Sequence, residues 1–209
     1  MNNQADLGRM IREHGETLRS PQLSMPPIAV EDRCKQVLAD YGDEQQFSEL
    51  FSPEKVYTYC SYPERCFDPD NKAPSLTVVK AAYGRGADFR WLLKHVESAV
   101  SFCETDGKLM PAAQLNEITL VLRTQGMASR LKVTEWMYFF YGFKASMFGK
   151  VYGQLTPKAF TEAFQEFLIQ RNHFIDRVLQ IKAEIRQAQM EEELKNAISY
   201  EEFLANRDK

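Results

Sequence analysis

The feature that most constrains this chain is the stretch 158–200, which contains neither glycine nor proline. Apolar side chains recur through it at Phe160, Phe164, Phe167, Phe174, Val178, Ile181, Ile185 and Ala188, with Arg171 holding one place in the series. The steps alternate between four and three residues, the spacing that keeps one stripe of an α-helix on a common seam. Thr156 and Pro157 supply a cap and a first-turn proline. A straight helix from there to about residue 193 is roughly 50 Å long. A domain of this size cannot cover such a seam along its whole length, so the distal part is expected to pack on another helix or another subunit. Arg171 is a polar interruption of the kind that sets register or partner choice.

The remaining segments also read as helical. Val30, Cys34, Val37, Leu38 and Tyr41 space a helix that ends at Gly42, and a short helix covers 44–51. Ser75 caps a helix over 76–83, followed by helices over 87–104 and 111–125, the last one ended by Gly126. Residues 134–147 are apolar nearly all round, which marks a helix buried at the centre of a fold. Thr134 is its expected cap, and Trp136, Phe140, Phe143 and Met147 define its most buried edge. The prolines of 52–74 predict the longest irregular stretch, and Pro21, Pro26 and Pro27 predict an extended linker after a weak helical stripe over 6–18. Ser199 opens a last short helix ending near Leu204. The expected fold is all-α: a compact helical domain around a central aromatic helix, a long C-terminal heptad helix, and little or no sheet. Residues 1–29 form an arm, 30–177 the domain, and 178–209 the distal helix with an acidic tail.

Composition removes several function classes. No apolar run reaches the ~18–20 residues that cross a bilayer, and the first 19 residues read as neither signal peptide nor anchor, so the expected location is the cytoplasm. Cys34, Cys60, Cys66 and Cys103 are too sparse for a disulfide scaffold, and the Cys60–Cys66 spacing is too wide for a zinc knuckle. His14, His95 and His173 lie in three distant segments. The turn around Asp68 and Asp70 lacks the order of an EF-hand, so its acids read as solvated loop charges. No GxSxG, HExxH or phosphate-loop pattern is present, and His95 reads as an ordinary helical histidine. A non-enzyme with no metal and no cofactor is expected.

The net charge of −3 excludes a globally basic nucleic-acid binder. The distribution is uneven, however: 126–158 carries Arg130, Lys132, Lys144, Lys150 and Lys158 against Glu135 alone. Eight aromatics fall between positions 136 and 152, interleaved with Lys144 and Lys150. Stacking aromatics next to backbone-tracking cations are the elements of a single-strand binder. The competing reading is a core helix whose lysines reach out to solvent along apolar stems. The loop 148–153 is the part with least need of a core role.

Pro74-Ser75-Leu76, Lys80-Ala81-Ala82-Tyr83-Gly84, Leu131-Lys132-Val133-Thr134-Glu135, Phe139-Phe140, Phe143-Lys144-Ala145 and Phe148-Gly149-Lys150-Val151-Tyr152-Gly153 resemble an uncharacterised family of unknown function, common in phages and conjugative elements of gut anaerobic bacteria. The resemblance runs over 74–177. In that family glycine and a basic residue often stand where this chain has Ser146 and Met147. The resemblance implies a mobile-element origin and supplies no activity. Two functions are therefore expected, ahead of a third reading as an enzyme of a class the sequence does not show. The first is a non-enzymatic accessory protein of a phage or mobile element that binds nucleic acid or a replication-type protein through Arg130, Lys132, Lys144, Phe148, Lys150 and Tyr152. The second is a structural or oligomeric adaptor, a homodimer through Arg171, Phe174, Val178, Ile181 and Ile185.

Overall fold

The computed structural model of the chain describes residues 27–60, 63–103, 110–149 and 155–196. The expected helices over 6–18 and 199–204, and the candidate residues Lys150 and Tyr152, lie outside them. In chain order the helices are α1 (Pro27–Tyr41), α2 (Glu44–Leu50), a 3₁₀ turn (Pro53–Lys55), α3 (Val56–Cys60), α4 (Pro63–Phe67), α5 (Leu76–Tyr83), α6 (Ala87–Cys103), α7 (Ala112–Ala128), α8 (Val133–Lys144) and α9 (Pro157–Asn196). Among the described residues the only β-type pairing is a single antiparallel bridge between Ser75 and Lys132. The fold is all-α.

Local chemistry sets most boundaries. Gly42 takes φ 73° at the end of α1, and a Cβ there would run into the Gln46 side chain. That side chain is needed where it is: Gln46 Oε1 accepts from Asp43 N–H at 3.0 Å while Asp43 Oδ1 accepts from Gln46 N–H at 2.9 Å, a reciprocal cap for α2. Four expectations are corrected. The proline-rich 52–74 is irregular only over 68–74 among its described residues, because Pro53 and Pro63 sit at helix starts and short helices fit before Pro69. Gly126 does not end α7 but lies inside it, where Trp136 packs so closely that a Cβ would clash with the indole. Lys132, not Thr134, occupies the cap position of α8, since the Thr134 hydroxyl is engaged by Asn71 Nδ2 at 3.1 Å. Met147 is exposed, α8 having ended at Lys144.

The core is aromatic and centred on α8, in which Val133 through Phe140, Gly142 and Phe143 are buried. Trp136 stacks on Phe164 of α9 at 5.0 Å, and Phe143 stacks on Phe160 at 4.2 Å. Gly142 leaves room for the Phe148 ring, which also meets Phe139 and Phe167. Phe67 of α4 stacks on Phe174 at 4.8 Å and closes α9 onto the other side of α8. A second aromatic group, Tyr41, Phe47, Phe51 and Trp91, joins through His95, which stacks on Phe140 at 5.1 Å.

Candidate interaction surface

Among its described residues, the aromatic-basic candidate does not assemble into one surface. Lys132 and Lys144 stand at opposite ends of α8, about 18 Å apart along its axis, and each ammonium has an internal task. Lys132 Nζ donates to the carbonyls of Asp68 at 3.2 Å, Pro69 at 2.9 Å and Asn71 at 2.5 Å. It organises a turn from another part of the chain much as a bound cation would. Burial holds its pKa below the usual lysine range, although Glu135 pulls the other way. Lys144 Nζ donates to Ser98 Oγ at 2.9 Å and lies 5.7 Å over the Phe102 ring, its pKa also lowered by burial. Phe148, expected on a binding loop, is a core residue, because the space over Gly142 seats its ring. Arg130 is exposed at the α7–α8 turn, with φ 53°.

The heptad seam divides into two parts. Its first part is consumed within the chain. Arg171, expected to set register or partner choice, is engaged within the chain: its Nε donates to Glu135 Oε1 at 2.7 Å, and Glu135 is buried in the first turn of α8. The other Glu135 oxygen accepts from the Lys132 backbone N–H at 2.7 Å. Phe174, expected at an interface between copies, lies on Phe67 and Tyr138, and Val178 is buried in the same core. One turn further, Lys182 Nζ donates to Asp68 Oδ1 at 2.6 Å and Asp70 Oδ2 at 2.7 Å. Asp68 and Asp70, read as solvated loop charges, thus form the last tie of the long helix to the domain, Asp70 remaining exposed. The paired ammonium and the Asp70 N–H outweigh burial and lower the Asp68 pKa.

Past this anchor α9 leaves the domain. Every residue over 183–195 is exposed, a projection of about 20 Å. Ile181 and Ile185, the distal members of the seam, are 39% and 53% exposed. A second apolar line was hidden in the sequence behind the stronger seam: Leu179, Ala183, Met190 and Leu194, stepping four, seven and four. At 3.6 residues per turn these residues lie roughly 100–160° around the helix from Val178, on the side turned away from the domain. Leu179, Met190 and Leu194 are 48%, 55% and 72% exposed. The projection is supported along itself by Gln180–Glu184 at 3.0 Å and Gln187–Glu191 at 3.2 Å.

Two open grooves lie on the described surface. One, of about 510 Å³, lies between Tyr41, Tyr59, Arg65 and the Asp68–Asp70 turn; burial pushes the Tyr59 hydroxyl up to about 12. The other, of about 790 Å³, runs between α2 and α6 and is lined by Glu44, Glu49, Glu54 and Glu97, with Arg90 already paired to Glu44. Among the described residues no group of three His, Cys, Asp or Glu side chains converges as a metal site, and no helix is long and apolar enough to cross a membrane. Compared with known protein families, curated proteins and solved structures, the chain matches none.

Proposed function

We propose that this protein is a non-enzymatic adaptor that works by presenting the distal part of α9 as a docking helix. The observation that carries the reading is that every residue over 183–195, beyond the Lys182 ion pairs, is exposed, with apolar side chains in water on both sides of the helix. An isolated helix of this length is marginal in water even with good helix formers, and one that buries nothing gains little from being ordered. Gln–Glu pairs four apart contribute only a few tenths of a kcal/mol each. A partner that covers the helix is what gives it a use. The nucleic-acid reading has less behind it, because Lys132 and Lys144 are engaged internally and Phe148 is buried. The resemblance over 74–177 supports an accessory role in a phage or conjugative element.

The test is a chain ending at Lys182. The truncated protein is expected to melt cooperatively within a few degrees of the full chain, since no residue over 183–195 is buried. A large loss of thermal stability overturns the reading, because the distal helix would then be part of the fold. A titration of the full chain with single- and double-stranded DNA and RNA completes it. Steep salt dependence would restore the phosphate-binding reading in its place.

A further inference from the structure

We infer that Lys144 is a site of N-acylation, and that its donor is a small uncharged acyl thioester reaching it from the groove between α2 and α6. The inference goes beyond the docking-helix reading and shares no residue with it. The contrast among the lysines carries it. Lys35 and Lys158 face the carboxylates of Glu31 and Glu162 at 2.9 and 3.4 Å, Lys182 faces those of Asp68 and Asp70, and Lys132 faces three carbonyls. Carboxylates and carbonyls only accept hydrogen bonds, so they hold an amine in its protonated form. Lys144 instead meets a hydroxyl, Ser98 Oγ at 2.9 Å, and the face of the Phe102 ring. A hydroxyl works in both directions: it accepts from the ammonium and donates to the lone pair of the free amine. Of the lysines with described side-chain contacts, Lys144 is thus the one that can lose its proton in place and keep its hydrogen bond.

The surroundings act the same way. Lys144 is half-buried, and burial lowers its pKa, outweighing Cys103 on α6 and Glu54 on the 3₁₀ turn, which favour the charged form. The Phe102 ring and the last turn of α8 also favour the cation. His95 on α6 is the other titratable group in electrostatic reach, and with a pKa of about 4 it is uncharged at neutral pH. A desolvated lysine of this kind is a nucleophile. Access comes through Ser98, which lines the groove of about 790 Å³, so the amine lies one hydrogen bond from the groove wall. Glu44, Glu49, Glu54 and Glu97 outnumber Arg90 and Lys94 along that groove. The excess negative charge opposes acyl phosphates and other anionic donors and leaves a neutral thioester as the fitting one. The amine attacks the thioester carbonyl, the C–N bond forms, and the C–S bond breaks with its electron pair on sulfur. The nitrogen gives up its proton to solvent and the thiolate takes one back, with no oxidation or reduction. The product is an uncharged amide at the end of α8.

Competitive acylation of the full chain with limiting S-acetyl-N-acetylcysteamine, an uncharged thioester, tests the inference. Mass spectrometry of the lysine-bearing peptides reads the rate at each position, with the exposed Lys72 and Lys80 as internal references. At about pH 7.5 Lys144 should react about threefold faster than either reference, or more, and the excess should shrink towards about pH 10.5, where ordinary lysines lose their protons too. The excess should vanish in urea, because an unfolded chain has neither the Ser98 partner nor the burial. With acetyl phosphate as the reagent the excess should be smaller, since the groove acids oppose its charge. A Lys144 rate at or below the references at every pH overturns the inference. An excess that does not change with pH, or that survives unfolding, overturns it as well, because neither would come from an amine freed by its folded surroundings. An excess as large with acetyl phosphate as with the thioester overturns the assignment of the donor.

Discussion

Replacing His95 by glutamine should flatten the acid limb of the stability profile. His95 is enclosed between Trp91 at 4.4 Å and Phe140 at 5.1 Å, 1% exposed. Its Nε2 lies 2.9 Å from the Phe51 carbonyl, which also accepts from Trp91 Nε1 at 2.9 Å. A carbonyl only accepts, so Nε2 carries the proton, and Nδ1 is left without a partner. Burial pushes the pKa from 6.5 down to about 4; the Phe51 hydrogen bond resists the shift and the Lys144 charge adds to it. Between those two values the unfolded chain binds a proton that the folded chain refuses. Stability is therefore full above pH 6.5 and declines as the pH falls through the window, by up to about 1.4 kcal/mol per pH unit and about 3 kcal/mol in all. Glutamine can keep the donor to Phe51 and cannot titrate. Urea unfolding of both proteins from about pH 7.5 to about pH 4 measures the difference. The variant should start less stable at neutral pH, and the gap should narrow steadily towards pH 4. Parallel profiles would show that His95 is protonated without penalty, and the reasoning from its burial would fail.

Arg171→Ala should cost about 3–5 kcal/mol, because it leaves the buried Glu135 carboxylate without its ion pair. Changing both residues to apolar ones should recover much of that loss in denaturant melts. Lys132→Met should lower stability by about 1–3 kcal/mol, since three carbonyls of the 68–71 turn lose their donor; protease cleavage in that turn should accelerate in parallel. Gly126→Ala should be destabilising by about 1–3 kcal/mol in spite of alanine's better helix propensity, because the Trp136 ring must move, and the tryptophan emission should shift. Ser146→Gly should be neutral or stabilising by roughly 1 kcal/mol in thermal melts, because Ser146 sits at φ 57°.

The parts of the fold that periodicity controls were legible in the sequence. The helices over 76–83 and 87–103, and the buried helix around Trp136, Phe140 and Phe143, follow from spacing and apolarity alone. What could not be read was the long-range use of single residues. Gly126 looks like a stop signal until Trp136 is known to lie against it. Arg171 looks like a flaw in a coiled-coil seam until Glu135, 36 positions away, is found beneath it. Lys132 and Lys144 look like surface cations because composition does not say that carbonyls of the 68–71 turn or the Ser98 hydroxyl await them. The heptad pattern also hid the candidate site. Its regularity points to Ile181 and Ile185, whereas the weaker line through Leu179 and Leu194 stands out only because the domain occupies the Val178 side of the helix.

The anchoring of α9 at Lys182 has a mechanical consequence. A stiff rod packed on the core up to Val178, tied last at Lys182 and projecting about 20 Å beyond it, is a lever: a tilt of about 10° at that last tie moves residue 195 by about 3–4 Å. The force path runs the other way as well. A load on the tip is delivered to two carboxylates in the turn that Lys132 gathers, and through that turn to the start of α8. Whatever holds the projecting part therefore pulls, through that turn, on the start of the buried helix α8.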